Sequence, residues 1–216
     1  MFSDIPGEKY FSAMESTHLF NKDGIEKIAE EKKDIDKKIV DFVKTLKPNK
    51  DKEVYCHVIA LGAGEIFGPN NNHDHFPAED LFADNPNYGF TTFLRAGVFQ
   101  GHKNKDHSRR LGDVVLSIVN PVMKRVELIL RSDKDRVKEF GSSNLWDRLL
   151  DGEYVGVSMG SRVPYDICTC HNNKAKTRAD YCENMLNMPG KILPDGRKVF
   201  VYNPRPNFFD ISFVNN

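Results

Sequence analysis

The chain has four cysteines and no net charge, and each scarcity bears on the class of protein it can be. Its 31 basic residues balance 31 acidic ones, so no global field attracts nucleic acid or an anionic membrane surface. No run approaches the ~18 consecutive apolar residues that span a bilayer. The N-terminus lacks a basic region followed by an apolar core, so no secretory leader is read and the chain is expected to remain in a cytoplasm. Internal repeats and low-complexity tracts are also missing. The cysteines are too few and too unevenly placed for a disulfide framework: three lie between Cys168 and Cys182, beside His171. In a reducing compartment that grouping points to metal rather than cystine. Cys56, alone in Val54-Tyr55-Cys56-His57-Val58-Ile59, reads as a small buried apolar side chain.

What remains is an ordinary globular composition, 216 residues with 39% hydrophobic and 29% charged, enough for one substantial core. Residues 1–53 read as an N-terminal arm followed by a helix. From Asp23 to Leu46 the apolar residues Ile25, Ile28, Ala29, Ile35, Ile39, Phe42, Val43 and Leu46 recur at helical steps, and Pro48 ends the run. Residues 54–216 read as a β-rich domain. Strands are expected at Val54–Leu61, Asp113–Val119, Arg125–Arg131, Tyr154–Val163 and Phe208–Val214, with short helices near Ala78–Phe82 and Ser143–Leu150.

One strand is unusual. In Gly156-Val157-Ser158-Met159-Gly160, alternation places Val155, Val157 and Met159 on one face and Gly156, Ser158 and Gly160 on the other. The second face carries nothing larger than a hydroxymethyl group, as close approach of another backbone requires. A bulge or a crowded strand crossing produces the same spacing. A serine nucleophile needs a base, and the base an orienting group. Of the seven histidines, His102 stands out at the end of the apolar run Val98-Phe99-Gln100-Gly101, before a polar turn, where it can face a cleft. His107, five residues on, is the second candidate. His18 and His57 read as structural, and His73-Asp74-His75 as a solvated turn or a metal site. In the last strand alternation places Phe209, Ile211 and Phe213 on one face, opposite Asp210, Ser212 and Val214.

Four segments in order carry a resemblance: Gly68–Pro77; Val98-Phe99-Gln100-Gly101-His102 with Gly112-Asp113-Val114; Val157-Ser158-Met159-Gly160-Ser161-Arg162-Val163; and Phe209-Asp210-Ile211-Ser212-Phe213-Val214. Over about residues 54–216 the chain resembles the prohead maturation proteases of tailed bacteriophages, a family similar in fold to the herpesvirus assemblin-type capsid proteases. The resemblance implies an α+β protein, mainly an antiparallel β-barrel with surrounding helices, and a serine endopeptidase in which Ser158 is the nucleophile, His102 the general base and Asp210 the third member. Members often carry glutamate at the position of Asp210; the shorter aspartate is expected to draw the strands closer. Arg162 is a candidate for lining the site.

The stretch from Ser158 to Asp210 is long for the family, which implies an insertion at about 164–207. There Cys168, Cys170, His171 and Cys182 group the thiolate and imidazole ligands that tetrahedral zinc prefers. Some large-phage relatives carry two ligand pairs at this place. Here the matching positions hold Cys168 with His171 and Cys182 with Met185, so either Cys170 completes the set or the cysteines are simply reduced and packed. Zinc there would be structural, with no cofactor for catalysis. The resemblance further implies the major capsid protein and scaffold as substrates, self-cleavage and self-association in the prohead, and residence in the host cytoplasm inside that shell, with neither nucleic acid nor membrane as partner. Two alternatives stand beside it: a noncatalytic capsid or scaffold component on the same fold, and a zinc-stabilised nuclease using His73, Asp74, His75, His102 or His107 together with the cysteine cluster.

Overall fold

Alternating strands with one apolar face must find a common core, and in the computed structural model they do so in one curled sheet. The structure describes residues 8–13, 18–19, 37–49 and 51–214. The strands are β1 (Glu8–Ala13), β2 (His18–Leu19), β3 (Glu53–Gly62), β4 (Asp74–His75), β5 (Gly97–Gln100), β6 (Gly112–Asn120), β7 (Arg125–Asp133), β8 (Gly156–Arg162), β9 (Asp166–Cys168), β10 (Lys174–Ala175), β11 (Val201–Tyr202) and β12 (Asn207–Val214). Eight form the main sheet in the order β1-β8-β12-β5-β6-β7-β3-β2, and β10-β9-β11-β4 form a smaller one. Pairing in the main sheet is antiparallel except between β12 and β5. β3, near one end of the order, lies against β8 and β1 at the other, so the sheet curls into a half-barrel. The α+β class and the dominance of antiparallel strands match expectation; closure into a full barrel is not among the hydrogen-bonded pairs of the described residues.

The concave side holds the core. Val58, Val98, Leu111, Leu128, Leu130, Val157, Met159, Ile211 and Phe213 meet there, together with Trp146 and Leu149 of the helix Leu145–Leu150. Phe93 stacks on Phe208 with ring centroids 4.0 Å apart. On the other face of β6 and β7, Ile118 and Ile129 pack beneath Ile39 and Val43 of the helix Lys37–Thr45. β7 is therefore covered on both sides, which is why it reads as the nearly continuous apolar run Val126-Glu127-Leu128-Ile129-Leu130. Of the helix expected from Asp23, the part before Lys37 lies outside the described residues.

A buried polar cluster interrupts that second face. Glu127 accepts bonds from Arg125 Nε at 2.7 Å and Asn120 Nδ2 at 2.9 Å, and its other oxygen lies 3.0 Å from His57 Nε2. Burial pushes the Glu127 carboxyl up, but its bonds to His57, Arg125 and Asn120 outweigh this and hold it below the ordinary carboxylate value. His57 is thus a structural histidine, as its place on a core strand implied.

The last strand departs from strict alternation. A bulge between Phe208 and Asp210 shifts the register against β8. As a result Phe208, not Phe209, joins Ile211 and Phe213 in the core, and Phe209 is left half-buried beneath the Arg162 guanidinium, 4.0 Å from its ring centroid. Beyond the bulge the expectation holds: Asp210 and Ser212 share the face opposite the core.

Candidate active site

β12 lies between the serine strand and β5, and this order brings the three residues together. Against β8, Ser212 pairs with Ser158 and Asp210 with Gly160; against β5, Asp210 pairs with Gly97 and Phe213 with Gln100. Because β5 runs parallel to β12, the chain leaves β5 just past the acid. It then turns back through Gly101 and His102, both in the left-handed region at φ 56° and 58°. Glycine adopts that region freely, whereas histidine needs help from its surroundings. Three bonds supply it: Gly101 N–H to the Phe213 carbonyl at 2.9 Å, His102 N–H to Ser212 Oγ at 3.1 Å, and Gln100 Nε2 to the same Phe213 carbonyl at 3.1 Å.

The turn delivers the imidazole between Ser158 and Asp210. His102 Nε2 lies 2.8 Å from Ser158 Oγ, and His102 Nδ1 is hydrogen-bonded to Asp210 Oδ2. Asp210 is fully buried, and its second oxygen accepts from Ser212 Oγ at 2.9 Å. Ser158 is 4% exposed, while the His102 side chain keeps 24% of its surface open to solvent. A buried carboxylate paired on both oxygens is the arrangement in which burial of charge is tolerated. It also selects the tautomer with hydrogen on Nδ1, leaving Nε2 free to accept the serine proton. Aspartate suffices in place of the longer glutamate, because β12 adjoins both the serine strand and the strand that carries the histidine turn.

The other candidates fall elsewhere. His107 is exposed in a short 3-10 turn and lines a polar cavity with Arg110, Arg131 and Arg136. Asp74 accepts a bond from Asn203 Nδ2 at 3.1 Å, and His75 is stacked against Phe200 with ring centroids 5.4 Å apart. Burial lowers the His75 pKa, with partial opposition from Glu65. Among the described residues these histidines join no group of metal-ligating side chains. Ser212 was not singled out from the sequence as a site residue. Its signal is the two-residue spacing from Asp210, which puts both side chains on one strand face.

The segment 164–207 holds the one group of metal-ligating side chains found among the described residues. The Sγ atoms of Cys168 and Cys182 and a ring nitrogen of His171 lie within 4.8 Å of one another. A tight turn makes this possible: Asn172 N–H bonds the Cys168 carbonyl at 3.0 Å, and His171 N–H points at Cys168 Sγ at 3.4 Å. Burial opposes ionisation of Cys168, but the backbone N–H groups of His171 and Asn173, the Cys182 thiol and the Cys170 N–H outweigh it and lower its pKa. Burial raises the pKa of Cys182, against a backbone N–H bond from Met185. Two sulfurs each facing the backbone N–H three residues on, with an imidazole beside them, fit a soft cation such as zinc. Cys170 is not in the group. Its side chain is 4% exposed and shares with Cys168 the apolar cluster of Met185, Val199 and Val201. Of the four residues grouped in the sequence, Cys168, His171 and Cys182 converge in the structure.

No known family model matches the chain, and no curated protein matches it by sequence. Among solved structures it is similar to the bacteriophage T4 capsid assembly protease, gp21, with a TM-score of 0.54 and 11% sequence identity over 98% of each chain. The chain has the fold of that protease. At this identity the likeness speaks to fold, and it covers nearly the whole of both chains.

Proposed function

We propose that the chain is a serine endopeptidase of phage capsid maturation. The observation that carries this reading is the hydrogen-bonded sequence Ser158–His102–Asp210, set on a fold shared with a capsid assembly protease. Ser158 Oγ attacks the scissile carbonyl carbon as His102 Nε2 takes its proton. The proton passes to the departing amine as the C–N bond breaks, and water, deprotonated by the same nitrogen, then releases the acyl group. Asp210 holds the imidazole and balances the charge it gains.

The substrates on this reading are the arm of the major capsid protein, scaffold and the protease itself, inside a prohead assembled in the host cytoplasm. Among the described residues no helix is long and apolar enough to cross a membrane. Self-cleavage is supported by β1, which pairs along the serine strand with Ser12 opposite Ser158, so the chain's own backbone already runs past the nucleophile. Cys168, His171 and Cys182 would hold a structural zinc ion. It would staple a segment whose own apolar cluster is small.

Mass mapping after treatment with a serine-directed fluorophosphonate tests the reading. A single adduct on Ser158, absent in Ser158→Ala and His102→Ala, is expected. If Ser158 stays unlabelled both alone and co-assembled with capsid and scaffold proteins, the peptidase reading falls and a noncatalytic role on this fold replaces it.

A further inference from the structure

The histidine turn and the acid are tied together by a fourth side chain. Ser212 Oγ accepts the His102 backbone N–H at 3.1 Å and lies 2.9 Å from Asp210 Oδ1. A hydroxyl has one proton and two lone pairs, and an ionised carboxylate only accepts. The direction of both bonds is therefore determined: backbone N–H to Ser212 oxygen, Ser212 proton to Asp210. The group is fully buried, so water is not at hand to replace either bond.

We propose that Ser212 is a positioning residue for the triad, an inference that rests on the peptidase reading. Its hydroxyl does two things at once. It fixes the Asp210 carboxylate from the Oδ1 side, so that Oδ2 faces His102 Nδ1. It also anchors the backbone of His102 in a left-handed conformation that histidine seldom adopts, φ 58°. The base is held at two points, ring and main chain, by two side chains on one face of a single strand. Because Ser212 stands directly opposite Ser158 in the β8–β12 register, the same strand position also aligns the nucleophile with this anchor. A serine that only filled space would need neither bond.

The test compares Ser212→Ala, Ser212→Cys and Ser212→Thr with the wild-type protein, by rate of fluorophosphonate labelling at Ser158 and by proton NMR of the His102 Nδ1–H, which a carboxylate partner shifts far downfield. Cysteine is close to serine in volume but a weak donor, so it separates packing from hydrogen bonding; threonine keeps the hydroxyl. Labelling is expected to slow about tenfold or more in the alanine and cysteine variants, with loss of the downfield resonance, and to recover at least in part in Ser212→Thr. If Ser212→Cys melts as the wild type does and labels within about twofold of it with the resonance intact, the positioning role is wrong. Failure of the wild-type protein to label both alone and co-assembled with capsid and scaffold proteins overturns the peptidase reading instead, so the two failures are distinct.

Discussion

Ser158 and Asp210 stand on adjacent antiparallel strands, two register positions apart: Ser158 faces Ser212, and Asp210 faces Gly160. Diagonal neighbours of this kind have Cβ atoms about 7 Å apart, too far for a direct bond between a hydroxyl and a carboxylate. An imidazole with a hydrogen bond on each nitrogen spans such a gap, and His102 does so. Gly160, directly opposite Asp210, places no side chain on that position of β8.

Asp210→Asn should retain the fold and lose activity. The amide still fills the buried site but favours the wrong imidazole tautomer, so labelling of Ser158 by a fluorophosphonate is expected to slow by about 10³ or more. Thermal melting beside the labelling rate separates this from simple destabilisation.

Zinc should copurify at one ion per chain under reducing, chelator-free conditions, measured by elemental analysis. Cys168→Ser, His171→Ala and Cys182→Ser should each lose it, whereas Cys170→Ser should keep it, because Cys170 lies outside the ligand group. Chelation should lower the melting temperature and expose Cys168 and Cys182 to alkylation. Cys56 should stay protected throughout, since burial pushes its thiol pKa up to about 12.

Acid should weaken the fold through Glu127. Its folded pKa lies below its unfolded one, so it contributes stability that is complete above the unfolded value and lost as pH falls through the folded value. Urea midpoints should therefore be flat near neutrality and fall below about pH 4.5. Glu127→Gln should cost about 3 kcal/mol at neutral pH, because it leaves Arg125 buried without its counter-charge, and should show a shallower acid loss.

Phe93→Ala and Phe208→Ala should each destabilise by about 3–5 kcal/mol in denaturant titrations, since both rings are fully buried and stacked on one another. Phe209→Ala should cost far less, since that ring is only half-buried. The contrast tests the bulge, because strict alternation reverses the order.

Much of the site was legible because strand alternation is local. Gly156, Ser158 and Gly160 fall on one face whatever the strand packs against, and Asp210 and Ser212 fall together for the same reason. The helix within Asp23–Leu46 showed in its spacing, and the described part buries Ile39 and Val43 as that spacing requires. The place of Phe209 was not legible: one extra residue in the strand exchanges its faces, and nothing in Asn207-Phe208-Phe209-Asp210 marks where the register slips. The Cys/His group was partly legible. Cys168, His171 and Cys182 converge, but whether Cys170 joins them depends on how one turn is wound.

By itself the sequence determined which side chains share a face, since pleat and helix periods follow from backbone geometry alone: a cleared face around Ser158, an acid opposite an apolar stripe, and a histidine at the end of a strand. Only the tertiary structure decided that these three meet. Their meeting depends on β12 inserting between β8 and β5, parallel to one and antiparallel to the other, and on two left-handed residues folding His102 back over it. Strand order and turn direction are settled by contacts between residues as far apart as 102 and 210, where the burial of apolar faces and the pairing of buried polar groups are satisfied together.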